Sequence, residues 1–217
     1  MSTVNLSSNN ITSEDCILEI PEITYDKNEL LKIYEQVKNY ARVKYLPWSK
    51  TPSEFIKNDE SKALTIQYND HGIRNPSDCN GGVNLLDFKY IRNLFSRFNL
   101  KIHPENVSML IYKEGYIFKP HVDGWAASVL MFPIISTSAI DFYHEKDMQF
   151  ESYKEYSMGY DKIIYSHYYK DASPTFFNSH IIHGVKPTTG FQVKLKVNLN
   201  EDFCSIRERY KDGPLVL

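Results

Sequence analysis

A mainly β fold with flanking helices is what this 217-residue sequence predicts. Three observations carry the prediction. From about Val107 onward the chain is run after run of β-branched and aromatic residues, broken by Gly, Pro and Asn. Ahead of that point, two segments repeat apolar residues at helical spacing. The order, helices first and then about eight strands, suits helices packed on one outer face of a β-sandwich or barrel.

The elements follow in order. Residues 1 to about 15 are rich in Ser, Asn and Thr and read as a mobile terminus. Cys16 to Ile20 reads as a short strand. Asp26 followed by Glu29 makes a capping-box-like helix start, and Leu30, Ile33, Tyr34, Val37 and Ala41 then recur on one helical face. Pro47 and Pro52 end that region in a loop, Lys62 to Tyr68 suits a strand, and His71 to Gly82 is loop-forming in composition. Leu85, Phe88, Ile91, Phe95 and Phe98 mark a second amphipathic helix. Strands are expected near 107–112, 116–122, 127–134, 138–144, 162–169, 174–178, 181–186 and 191–199. The polar, tyrosine-rich stretch from Glu145 to Tyr160 is longer than a hairpin needs and reads either as a lid or binding loop or as a disordered excursion. This partition makes one domain over 1–217: a helical support region at 16–104, a β core at 105–200 and a tail at 201–217.

Bulk composition excludes several classes. A hydrophobic content of 42% with 24% charged residues is that of a globular chain. The formal net charge of −2 gives no overall electrostatic footprint for nucleic acid or an anionic membrane. The basic stretch Lys38, Arg42, Lys44, Lys50 and Lys57 reads as a solvated face. Three scattered cysteines without a CxxC pair argue against a disulfide framework or zinc site. The first residues lack a charged and then apolar leader pattern, so the cytoplasm is the expected address. The run Val129 to Ile135 is too short to cross a bilayer and contains Pro133.

Chemistry concentrates in two stretches. His121-Val122-Asp123 places a His and an Asp two apart, hence on one face of a strand. His183-Gly184-Val185, some sixty residues later, follows an apolar strand and supplies a second imidazole. Two imidazoles and one carboxylate, with the opposite positions open, suit non-haem Fe(II) that must bind O2 and a co-substrate. His180 competes with His183 but faces the other way on a strand, and the Gly-Val that follows favours His183. His71, His103, His144 and His167 lack partner spacing. On the last strand, Val193, Leu195, Val197 and Leu199 share one face, while Lys194, Lys196, Asn198 and Asn200 share the other. The polar face either meets water or lines a cavity.

The order Tyr112, Gly115, His121-x-Asp123, His183-Gly-Val and Lys196-x-Asn198 resembles the Fe(II)/2-oxoglutarate-dependent oxygenases, nearest in texture to their prolyl-hydroxylase-like branch. The resemblance spans about residues 107–200. It implies a double-stranded β-helix (jelly-roll, cupin-like) core with Fe(II) held by His121, Asp123 and His183. It implies 2-oxoglutarate gripped at its far carboxylate by Lys196, with Lys194 the second candidate and Tyr112 and Asn198 in support. A lysine there departs from the commoner arginine and binds as a point charge instead of a planar fork. The implied reaction consumes O2, releases succinate and CO2, and hydroxylates a C–H bond of an amino acid, peptide or small metabolite. Asp123 matters here, because related halogenases carry a small residue at that position.

Trp125 and the tyrosines of 145–169 are candidates for an aromatic substrate wall, and Arg74 for a substrate carboxylate. Two other readings stand beside the hydroxylase. One is an AlkB-like nucleic-acid dealkylase, against which the near-neutral charge speaks. The other is a non-catalytic cupin-like binding protein.

Overall fold

The computed structural model describes residues 11–38, 42–43, 64–67, 84–98, 100, 102, 106–112, 114, 118–123, 126–148, 150–152, 155–156 and 160–211. Its helices are α1 (Ser13–Cys16), α2 (Lys27–Val37), α3 (Lys89–Phe95) and α4 (Phe203–Lys211). Its early strands are β1 (Ile17–Glu19), β2 (Arg42–Val43) and β3 (Leu64–Gln67). Then come β4 (Val107–Tyr112), β5 (Phe118–His121), β6 (Ser128–Ile135), β7 (Ile140–Tyr143), β8 (Phe150–Ser152) and β9 (Glu155–Tyr156). The chain closes with β10 (Ile163–His167), β11 (Thr175–Phe177), β12 (His183–Val185) and β13 (Gln192–Leu199).

These strands form a seven-stranded sheet, β1-β11-β6-β13-β4-β3-β2, and a six-stranded sheet, β10-β7-β12-β5-β9-β8. Every pairing is antiparallel. Eight of the strands divide four to each sheet, crossing between the sheets at each step except β7 to β10, so that β11-β6-β13-β4 stands against β10-β7-β12-β5. That order is a double-stranded β-helix, or jelly roll, which buries strand edges by rolling one sheet over the other.

Side-chain alternation decides what lies on each side of the large sheet. Val193, Leu195, Val197 and Leu199 of β13 join Leu130, Phe132 and Ile134 of β6 in one buried cluster with residues of α2, α3 and α4. The apolar face of β13 therefore looks outward, onto the helices. A second cluster, with Val129, Met131, Phe177, Ile140, Phe142 and Ile181, fills the space between the sheets. Phe132 links the two layers: its ring meets Tyr25, Phe95 and Phe98. Pro133 sits in a central strand, where proline removes a ladder donor, and the β13 register slips beside it. The Tyr25 hydroxyl donates to the Pro133 carbonyl, tying the entry of α2 to that irregular spot.

The expected elements are present with adjusted ends. All eight predicted core strands form, and Asp26 caps α2 by accepting from the N–H groups of Asn28 and Glu29. Three details differ. Thr12 and Asp15 form a capping box, so Ser13–Cys16 is a helical turn instead of part of a mobile terminus, and β1 begins at Ile17. The second amphipathic helix is split into a 3-10 turn at Leu85–Asp87 and α3, because the Asn84 side chain caps the first piece. The stretch from Glu145 to Tyr160 contains β8 and β9, and β9 pairs with β5 at His121. Its described strands extend the smaller sheet. Ala41, Pro47, Pro52, Arg74, Trp125 and the 71–82 segment lie outside the described residues. No helix among the described residues is long and apolar enough to cross a membrane.

Phe132→Ala is expected to lower stability by about 3–5 kcal/mol, the usual cost of emptying a filled aromatic site. Denaturant unfolding measures it; a loss under about 1 kcal/mol would show that the helices are not held through this ring.

Candidate metal centre

His121 ends β5, His183 begins β12, and the antiparallel register sets them directly opposite each other. Such cross-strand partners share a face with Cβ atoms roughly 4.5–5.5 Å apart. The smaller sheet thus brings two imidazoles together through its ladder alone, with ring centroids 4.4 Å apart. Asp123 lies past the end of β5. Its backbone N–H donates to the Ser179 carbonyl at 3.0 Å, which ties it to the turn leading into His183. Asn178 shapes that turn: its Oδ1 accepts from the His180 N–H, and its carbonyl accepts from the Ile181 N–H. Ser179 Oγ donates to the Ala126 carbonyl at 2.7 Å, closing the same corner.

One donor atom from each of His121, Asp123 and His183 lies within 4.8 Å of the other two. His121 Nε2 is 3.7 Å from Asp123 Oδ1, and His183 Nε2 is 3.9 Å from Asp123 Oδ2. Metal–ligand bonds of about 2.0–2.2 Å put neighbouring donors roughly 3–4 Å apart, so this spacing suits one shared ion. The protonation pattern also suits it. His183 Nδ1 stands 2.9 Å from the Ile181 carbonyl, which can only accept, so Nδ1 carries the hydrogen and Nε2 keeps its lone pair. Burial, reinforced by neighbouring His121, pushes the His183 imidazole down to about 3, so it is neutral at physiological pH. Burial by itself would raise the Asp123 carboxyl. The Lys196 ammonium and the adjoining His121 and His183 rings together outweigh it and hold the group well below the usual carboxylate range. Asp123 Oδ2 is buried without a hydrogen-bond partner, an atom whose need a cation would meet. Phe118 lies edge-on to His121, while Phe177 and Phe142 flank His183, giving the donors an apolar wall.

The polar face of β13 lines the interior of the barrel. Ser108, Leu110 and Tyr112 of β4 stand opposite Lys196, Lys194 and Gln192 in register. Lys196 Nζ lies 3.8 Å from Asp123 Oδ2. Lys194 is 3% exposed and sits 4.5 Å from the centre of the Tyr169 ring and 5.9 Å from that of Tyr112. Burial pushes its ammonium down to about 7. Asn198 is buried, with Oδ1 unpartnered, and Asn200 is exposed.

The remaining histidines separate clearly. His180 is exposed, and His144 accepts from the Lys146 N–H at a 3-10 turn. His167 is buried near Glu19, with its ring edge-on to Tyr169. His71 and His103 lie outside the described residues. Ser108 is an interior residue that the sequence did not single out, although a polar residue interrupting the apolar run Val107–Ile111 marks it. Tyr169, one of the tyrosines of 145–169, sits in the β10–β11 connection with its ring centre 4.5 Å from Lys194 Nζ.

No protein-family model matches the chain, and no curated protein matches it. Solved structures similar to it include a 2OG-Fe(II) oxygenase family oxidoreductase from Burkholderia pseudomallei, at 9% identity and TM-score 0.47, covering 86% of this chain and 87% of that one. A Pseudomonas putida prolyl-4-hydroxylase gives 9% identity and TM-score 0.46, covering 86% and 94%. HygX from Streptomyces hygroscopicus, solved with nickel and 2-oxoglutarate, gives 10% and 0.45, covering 88% of each chain. At these scores, the strand order and side chains of the chain itself define its fold and its site.

The buried ammonium gives a pH signature. Between pH 7 and 10.5 the unfolded chain keeps the Lys194 proton while the native protein sheds it, so native stability rises with pH across that window. Relative to Lys194→Met, the wild type should gain on the order of 2–4 kcal/mol from pH 7 to pH 10 in urea unfolding. A difference that does not change with pH would mean the ammonium is hydrated.

Proposed function

We propose that the protein is an Fe(II)- and 2-oxoglutarate-dependent dioxygenase that hydroxylates a C–H bond of a small metabolite, amino acid or peptide, releasing succinate and CO2. The observation that carries this reading is the meeting of His121, Asp123 and His183 donor atoms inside a jelly roll, with lysines on the facing wall. His121, His183 and Asp123 would offer two nitrogens and one carboxylate oxygen, a donor set suited to non-haem Fe(II) that must also take a co-substrate and O2. Bound there, the ferrous ion would supply the oxidative chemistry that side chains cannot.

The chain's own residues have distinct tasks. His121, His183 and Asp123 would hold the ion, with the Ile181 carbonyl fixing the His183 ring. Of the two lysines, Lys194 best suits the far carboxylate of the co-substrate. Residues two apart on a strand are separated by roughly 6.5 Å, and Lys196 is already within ion-pair distance of Asp123. The carboxyl carbons of a five-carbon diacid stand roughly 5 Å apart, from four bonds of about 1.5 Å each. A molecule chelated beside Asp123 therefore reaches Lys194, and an arriving carboxylate would recharge that ammonium and find Tyr112 beside it. The phenylalanine wall excludes water from the reacting face.

Anaerobic titration of the protein with Fe(II) and 2-oxoglutarate should produce the visible charge-transfer band of the chelate. Asp123→Ala and His183→Ala should abolish it, and a band that survives in either variant refutes the site. Lys194→Ala should weaken 2-oxoglutarate about 10–100-fold, the worth of one charge-assisted hydrogen bond; an unchanged affinity moves that task to Lys196. Under air, a metabolite panel should reveal a compound that drives succinate release. Binding without turnover across that panel would favour a non-catalytic cupin-like protein.

A further inference from the structure

We infer that Lys196, Ser108 and Asn198 form a second anion subsite in the barrel, one that takes a carboxylate of the organic substrate. The inference rests on the dioxygenase reading and narrows it, since the substrate is then a carboxylate-bearing small molecule.

Three observations converge. The first is position. Lys196 shares the inward face of β13 with Lys194 but stands beside the metal-binding carboxylate, 3.8 Å from Asp123 Oδ2. With the far carboxylate of the co-substrate on Lys194, Lys196 has, among the described residues, no anion of its own other than a ligand oxygen that an ion would share.

The second is unmet polarity. Ser108, opposite Lys196 in register, is 2% exposed, and its Oγ has no hydrogen-bond partner. Asn198, the next inward residue of β13, is 4% exposed, and its Oδ1 is likewise unpartnered. Each such atom costs about 1–3 kcal/mol when nothing meets it. The neighbouring wall is apolar, formed by Val129 and Met131 of β6. A carboxylate accepts from the Lys196 ammonium and the Ser108 hydroxyl; Asn198 Oδ1 can itself only accept, so the Asn198 amide would turn its Nδ2 to the carboxylate and leave Oδ1 to the Lys196 ammonium.

The third is charge. Counted over the described residues, a divalent cation on Asp123, a dianionic 2-oxo acid and the ammonium groups of Lys194 and Lys196 would leave a single positive charge uncompensated at this point of the barrel. An unbalanced buried charge is costly, and a monoanionic carboxylate removes it. A neutral sugar or nucleobase would leave it in place.

The experiment uses the full chain loaded with Ni(II), and acetate as the probe. 2-Oxoglutarate is titrated first, by calorimetry; acetate is then added to the saturated complex and followed by thermal shift, against chloride at equal ionic strength. Acetate should raise the melting temperature where chloride does not. Lys196→Met should weaken acetate at least about tenfold, the loss of one charge-assisted hydrogen bond, while 2-oxoglutarate affinity changes less than about threefold. Ser108→Ala paired with Asn198→Ala should weaken acetate in the same direction and serves if Lys196→Met does not fold. An acetate response equal to that of chloride overturns the subsite. So does a Lys196→Met variant that loses 2-oxoglutarate instead of acetate, since Lys196 then belongs to the co-substrate. Failure of the wild type to bind 2-oxoglutarate at the first step strikes the dioxygenase reading itself, and the subsite falls with it.

Discussion

A carboxylate withdrawn from water must be met by positive charge or by donors, and Asp123 is the place where that requirement governs this fold. Its side chain is only 10% exposed, and its Oδ2 is approached by the Lys196 ammonium and the His183 imidazole while holding no hydrogen bond. Removing a charge of this kind from water costs several kcal/mol even after relaxation. The barrel offsets the cost by bringing cationic or ionisable groups from three separate strands to one point. β5 gives His121, β12 gives His183 and β13 gives Lys196. Antiparallel register does most of the positioning, and one backbone hydrogen bond from Asp123 to Ser179 does the rest.

That arrangement dictates the outer layers. Because β13 turns its lysines and Asn198 inward, its valines and leucines must be covered from outside, and α2, α3 and α4 supply the cover. The helices stabilise the roll while leaving the inward face of β13 polar. The Glu145–Tyr160 insertion adds β9 to the edge of the smaller sheet next to His121, so it braces the same wall. Site and scaffold are thus coupled through single strands that carry chemistry on one face and packing on the other.

How far this was legible in the sequence follows from the range of the signals. The strands were readable because period-two alternation is local, and the triad because His121 and Asp123 are two apart and His183 ends an apolar run. The helix split at Phe88 and the turn at Ser13–Cys16 were hidden, since each depends on a local side-chain hydrogen bond, the Asn84 cap in one case and Asp15 accepting from Thr12 in the other. Which way β13 faces could not be read from β13 itself. Lys194 and Lys196 look alike as residues on a polar face; only tertiary packing sets one between Tyr112 and Tyr169 and the other against Asp123.

Whether His121, Asp123 and His183 share one ion can be seen in crystals soaked with Mn(II) and measured at a wavelength giving anomalous signal. A single strong anomalous peak is expected within coordination distance of His121 Nε2, His183 Nε2 and an Asp123 oxygen. A peak on other residues, or none at saturating Mn(II), would mean that the three side chains do not form a metal centre.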